Sequence, residues 1–167
     1  MTAPAFGIDP SGPPAPPWTT TVWLNSEQAL QPADLLGKVI VLHAFQMLCR
    51  ACVHHALPQA QRIETLFPPR EVAVIGLHTV FEHHAAMTEV SLRAFVHENR
   101  IGYPVGIDAP GPDTHDPIPA TMRDYQLQGT PSLLLIDRAG RLRRHSFGAE
   151  GDLEVGAAIA SLLAEDC

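Results

Sequence analysis

Hydrophobic and polar positions along this chain alternate between unbroken apolar runs and spaced apolar residues. Val39 to Phe45 is a nearly continuous apolar run of strand length, as expected for a central strand covered by helices on both faces. Beyond it, Val53, Leu57, Ala60, Ile63 and Phe67 recur at helical spacing. Gln59, Gln61, Arg62 and Glu64 fill much of the rest, until Pro68-Pro69 stops the segment. Val72 to His78 is a second apolar strand. In the next segment Leu92, Phe95 and Val96 oppose Glu89, Arg93, His97 and Arg100, which predicts an amphipathic helix. Strand, helix, strand, helix points to parallel pairing in the sheet.

The flanking segments read less regularly. Trp18 to Leu24 has the β-branched and aromatic residues of a short strand, and Asp34 to Lys38 reads as a single turn. Tyr103 to Ile107 predicts another short strand, Asp108 to Pro119 a Pro- and Gly-rich loop, and Ala120 to Gln126 a short helix. Ser132 to Asp137 and Leu142 to Phe147 flank Asp137-Arg138-Ala139-Gly140 and predict a hairpin, followed by a helix from about Leu153 to Leu163.

Residues 1–17 are rich in Pro, Gly and Ala, a composition that builds neither a packed helix nor a central strand. They are expected to form a flexible or wrapping arm, with residues 18–167 as one domain. The whole chain has 167 residues, nearly half of them apolar, enough to bury one core. Its 18 acidic against 11 basic residues leave no basic stripe, which argues against nucleic acid as a partner. No apolar run reaches the roughly 18 residues of a membrane span, and the N-terminus lacks a secretory signal's basic start and apolar core. The expected location is the cytoplasm, away from the membrane, with the periplasm open if the sequence is part of a longer one.

Three cysteines are too few for a disulfide framework, but two form Cys49-Arg50-Ala51-Cys52. This spacing sets two sulfurs one helical turn apart at a predicted helix N-terminus. The unpaired N–H groups and helix dipole there favour a thiolate, lowering the Cys49 pKa below the roughly 8.5 of a free thiol, and Arg50 adds positive charge. Cys49 is the candidate nucleophile and Cys52 the candidate resolving thiol. The pair could instead be half of a metal site. Nine histidines are present, including His54-His55 and His83-His84, and with His78 some of these are expected near the cysteines. A copper or zinc site on Cys49, Cys52, His55 and His84 is therefore the competing reading. Cys167 stands alone at the terminus.

Gly129-Thr130-Pro131 immediately precedes the apolar strand Ser132 to Asp137. Together with the strand, the Cys-x-x-Cys pair and the helix upstream, it makes the chain resemble the thioredoxin superfamily. The likeness is to its TlpA/ResA-like and AhpC/TSA-related redoxin group, which Asp34 to Val41 and Tyr125 to Pro131 also resemble. It extends over roughly Trp23 to Leu163. The resemblance implies an α/β thioredoxin-like fold: a central mixed β-sheet flanked by helices, with an N-terminal strand extension. It also implies a cis Pro131 facing the cysteines, and a Thr130 backbone free to pair with an extended substrate segment.

Departures from the family pattern concern the site. Leu48 replaces the usual aromatic before the first cysteine, and the helix proline comes nine rather than eight residues after it, at Pro58. His43 occupies the place of a buried acidic residue, either as a proton shuttle for Cys52 or as a core histidine. Leu42 and Gln46 stand where a peroxidatic cysteine would need Pro and Thr or Ser, so peroxidase activity is not expected. The implied activity is thiol-disulfide oxidoreduction on protein or small disulfide partners, with a thiol electron donor and no cofactor. A binding scaffold without turnover is a third reading, and the intact cysteine pair argues against it.

Overall fold

The computed structural model describes residues 5–112 and 116–165. The expectations made for residues 1–4 and 113–115 and for Cys167 fall outside them.

Six strands form one sheet: β1 (Thr20–Leu24), β2 (Val39–Phe45), β3 (Val72–His78), β4 (Val105–Asp108), β5 (Ser132–Ile136) and β6 (Leu142–Phe147), in the order β1-β4-β3-β2-β5-β6. The helices are α1 (Leu57–Leu66), α2 (Glu89–Glu98), α3 (Ala120–Asp124) and α4 (Asp152–Ala164), with short 3-10 turns at Ala5–Gly7 and Pro32–Leu35. β2 runs parallel to β3 from Val39↔Val72 to Phe45↔His78, and β3 runs parallel to β4. On its other side β2 pairs antiparallel with β5, which pairs antiparallel with β6, and β1 is antiparallel to β4. The parallel pairing read from strand-helix alternation thus holds for the three strands joined by helical crossovers, whereas the hairpin and β1 make the sheet mixed.

All seven residues of β2 are buried, which makes it the hub of the sheet. Strand alternation sends Val39, Val41 and Phe45 into one core with Cys52, Leu57, Ala60 and the apolar faces of α2 and α4. Ile40, Leu42 and Ala44 enter the opposite core with Trp18, Met122 and Tyr125. By the same alternation His43 lies on the face that carries the cysteines.

Boundaries differ from expectation where side chains or proline displace the ladder. Trp18 lies outside β1 because the Gln31 side-chain amide takes both of its main-chain groups, accepting from its N–H and donating to its C=O at 2.8 Å each. Pro104 has no N–H to donate, and β4 starts after it. The Pro-rich arm lies along the outer edge of β6. Asp9 N–H donates to Arg143 O at 2.7 Å, Leu142 N–H to Pro13 O at 2.8 Å and Ala15 N–H to Gly140 O at 2.8 Å, while Ile8 is buried in the core. The edge strand is thereby covered. Gly12 permits this approach, since a Cβ there would lie 1.8 Å from Leu142 O. Among the described residues no helix is long and apolar enough to cross a membrane.

Candidate active site

The redox pair sits where β2 ends. Gln46 closes the strand with a tight turn in which its carbonyl accepts from Cys49 N–H at 3.1 Å, and the chain turns helical at Arg50. Cys49 and Cys52 are joined by a disulfide with Cα atoms 5.2 Å apart. Cys49 is half-buried and Cys52 fully buried, so an incoming group meets Cys49 first. The Cys52 N–H points at Cys49 Sγ from 3.2 Å, one of the unpaired amides of a helix start directed at the sulfur. Arg50 is exposed beside it.

The residues after the pair form a π turn over Cys52–Ala56, in which Leu57 N–H donates to Cys52 O. A π turn takes up one extra residue within a helix. This absorbs the displaced proline: Pro58 stands one place late in sequence, and the wide turn ahead of it holds the additional residue.

The Thr130–Pro131 peptide bond is cis, and the Thr130 carbonyl oxygen lies 3.5 Å from Cys49 Sγ. Gly129 lies under the Phe147 ring, which would be 2.9 Å from a Cβ at that position. Phe147 and Leu48 are both more than half exposed, leaving apolar surface near the sulfurs.

Gln46, which in the sequence marked only the lack of a peroxidatic pattern, is a junction of the site. It is buried, and its Nε2 donates to Thr130 Oγ1 at 3.4 Å and to Glu82 Oε1 at 3.3 Å. Its Oε1 accepts from Phe81 N–H at 3.3 Å. One side chain therefore ties the loop after β3 to the segment beside Cys49. No spacing signal marks this role, because its partners lie 35 to 84 residues away.

His43 is 1% exposed, and neither ring nitrogen has a hydrogen-bond partner among the described residues. Burial lowers its pKa from 6.5 to about 4, so it is neutral at pH 7. It lines a narrow crevice with His55, Ala56, Gln59, Pro131 and Glu150. His78 is equally buried, packs tilted against Phe45 at 5.3 Å between ring centroids, and is also lowered to about 4 by burial.

Among the described residues the other histidines do not assemble with the cysteines into a ligand set. His54 and His55 are exposed on the π turn, and His83 and His84 on the loop after β3, where His84 lines a separate groove with Val80, Met87 and Asp108. Among the described residues no group of three or more His, Cys, Asp and Glu side chains is placed to hold a metal ion. The copper or zinc alternative on Cys49, Cys52, His55 and His84 is therefore unsupported.

No protein-family model matches the sequence, and no curated protein matches it. Among solved structures, a thioredoxin-like superfamily protein is 56% identical, covering 92% of this chain and 98% of its own, with a TM-score of 0.89. The chain belongs to the thioredoxin-like superfamily. A second relative, a thiol-disulfide isomerase from Corynebacterium glutamicum, is 45% identical over 91% of this chain and 98% of its own, with a TM-score of 0.85. A thioredoxin-like protein solved in solution in its oxidised form, 21% identical, shares the fold at a TM-score of 0.74 over 92% of this chain and 96% of its own. The resemblance and the fold class read from the sequence are borne out.

Proposed function

We propose that this thioredoxin-like protein is a thiol-disulfide oxidoreductase that cycles Cys49 and Cys52 between dithiol and disulfide, acting on protein or small disulfide partners and recharged by a thiol donor. The observation that carries the reading is the Cys49–Cys52 disulfide at the helix start, with Cys49 Sγ 3.5 Å from the Thr130 carbonyl.

In the reducing direction the Cys49 thiolate, favoured by the helix-start amides and by Arg50, attacks a substrate disulfide. A mixed disulfide forms, and the first substrate thiolate leaves and takes a proton from water. Thr130 and Pro131 supply the docking edge, with the Thr130 backbone pairing with the extended substrate segment. The buried Cys52 then gives up its proton to His43 and attacks Cys49 Sγ, and the second substrate sulfur leaves as a thiolate that takes a proton from water. Two electrons pass from the dithiol to the substrate, and two thiols of the donor restore the dithiol.

Reduction of insulin disulfides by a dithiol donor tests the proposal. Wild type is expected to accelerate the reaction and Cys49→Ser to abolish the acceleration; wild-type activity in Cys49→Ser would refute it. The reduction potential then sorts direction and compartment. A value near the roughly −270 mV of a strong reductant fits the cytoplasm expected from the sequence, and one near about −120 mV an oxidising compartment.

A further inference from the structure

We infer that His55, set on the rim of the crevice by the π turn, is the outer station of the path by which the Cys52 proton reaches solvent through His43. The inference rests on the oxidoreductase reading above and extends it to how a buried thiol loses its proton.

Three observations meet in this crevice. His43 carries two buried ring nitrogens without partners among the described residues, a costly arrangement in a folded interior that calls for a reason. The crevice that His43 lines opens between the π turn and the segment after β6, and its two other titratable lining groups are His55 and Glu150. Glu150 is already engaged, its carboxylate accepting from Arg144 and Ser146, while Gln59 holds its main-chain carbonyl at 3.0 Å and contacts Asp152, which pairs with Arg62. Exposed His55 is left to exchange protons with water.

The π turn is what makes this geometry. Cys52 opens the turn, and Ala56, one turn on, lines the crevice with His55 and with Gln59 three residues further. The turn thus runs from Cys52, which packs on the face of β2 that carries His43, to the residues that line the crevice. Because burial keeps His43 neutral, it serves as a relay: one nitrogen receives the proton from Cys52 while the other hands one outward. No net charge has to be stored in the core. The proton leaving Cys52 emerges at His55, the electron pair stays on sulfur, and the Cys49–Cys52 bond forms as the substrate thiolate departs.

A single-turnover reaction of the reduced protein with Ellman's reagent separates the steps. Attack by Cys49 releases one thionitrobenzoate in a concentration-dependent phase, and attack by Cys52 releases the second in a concentration-independent phase. His55→Ala is expected to lower the ratio of the second rate to the first about tenfold at pH 7. Added imidazole is expected to restore it in His55→Ala and not in His43→Phe. An unchanged ratio in His55→Ala, or a lowered ratio that imidazole fails to restore, overturns the inference. If His43→Phe also leaves the second phase at the wild-type rate, the role given to His43 fails with it. If His43→Phe slows that phase and His55→Ala does not, only the outlet is wrong. Absence of both phases from the Cys49→Ser variant checks the underlying reading separately.

Discussion

Acidification from pH 7 to pH 5 should destabilise the oxidised protein mainly through His43 and His78. Both are 1% exposed, and burial lowers both from 6.5 to about 4. Between those values the unfolded chain binds protons that the native protein refuses, so stability is complete above about 6.5 and is lost as pH falls toward 4. Each pKa unit corresponds to about 1.4 kcal/mol; over the window from pH 7 to pH 5 this gives about 2 kcal/mol per histidine and about 4 for both. Asp108, raised by burial despite accepting from Thr79, Thr121 and Met122, acts in the opposite sense at lower pH and is common to all variants. Urea unfolding at pH 5, 6 and 7 of wild type, His43→Leu, His78→Leu and the double variant isolates the effect, because only slopes against pH are compared. With a slope of about 2 kcal/mol per molar urea, the wild-type midpoint should fall about 2 M further than that of the double variant, with each single variant between them. Parallel pH dependence in all four proteins would refute the assignment of these rings as buried and neutral.

Three further substitutions probe the frame. Gln46→Ala removes the contacts to Thr130, Glu82 and Phe81; loss of the Thr130 bond alone, worth about 1 kcal/mol, predicts roughly a fivefold loss of kcat/KM in insulin reduction, and an unaltered value would exclude a positioning role. Gly12→Ala drives a methyl into Leu142 O and should lift the arm from β6. Losing Ile8 burial alone costs about 2 kcal/mol, visible as a lower Tm and faster amide exchange along β6, and unchanged exchange would count against the docked arm. Arg143 pairs with Asp137 at 2.9 Å and Glu165 at 2.6 Å, with Arg143 and Asp137 both buried. Arg143→Met should cost about 3 kcal/mol by removing the cation beside the Asp137 carboxylate, whose Oδ1 still accepts from the Ala139 and Arg141 N–H groups; a variant as stable as wild type would contradict this.

Much of the architecture was legible because it is local. The nearly continuous apolar run Val39–Phe45 announced the buried hub strand, the turn residues Asp137 to Gly140 the hairpin, and Cys-x-x-Cys between strand and helix the redox pair. The one-residue displacement of Pro58 was also visible, though not its cause, since whether an extra residue is looped out or absorbed in a π turn depends on what packs against the helix. His43 was recognisable as a strand residue, yet whether it was a satisfied core histidine or an unpartnered ring above a crevice depended on side chains from β5, the π turn and the segment after β6.

Taken alone, the sequence determined the elements, the faces they bury and the chemistry they carry, because propensity and periodicity act over a dozen residues or fewer. Tertiary structure decided which loops meet. The Thr130 carbonyl reaches Cys49 across 81 positions, and Gln46 joins Thr130 and Glu82 across 84 and 36. It also laid the Pro-rich arm on β6. Such contacts form only when the sheet order brings distant strand ends together, and no short-range pattern encodes that order.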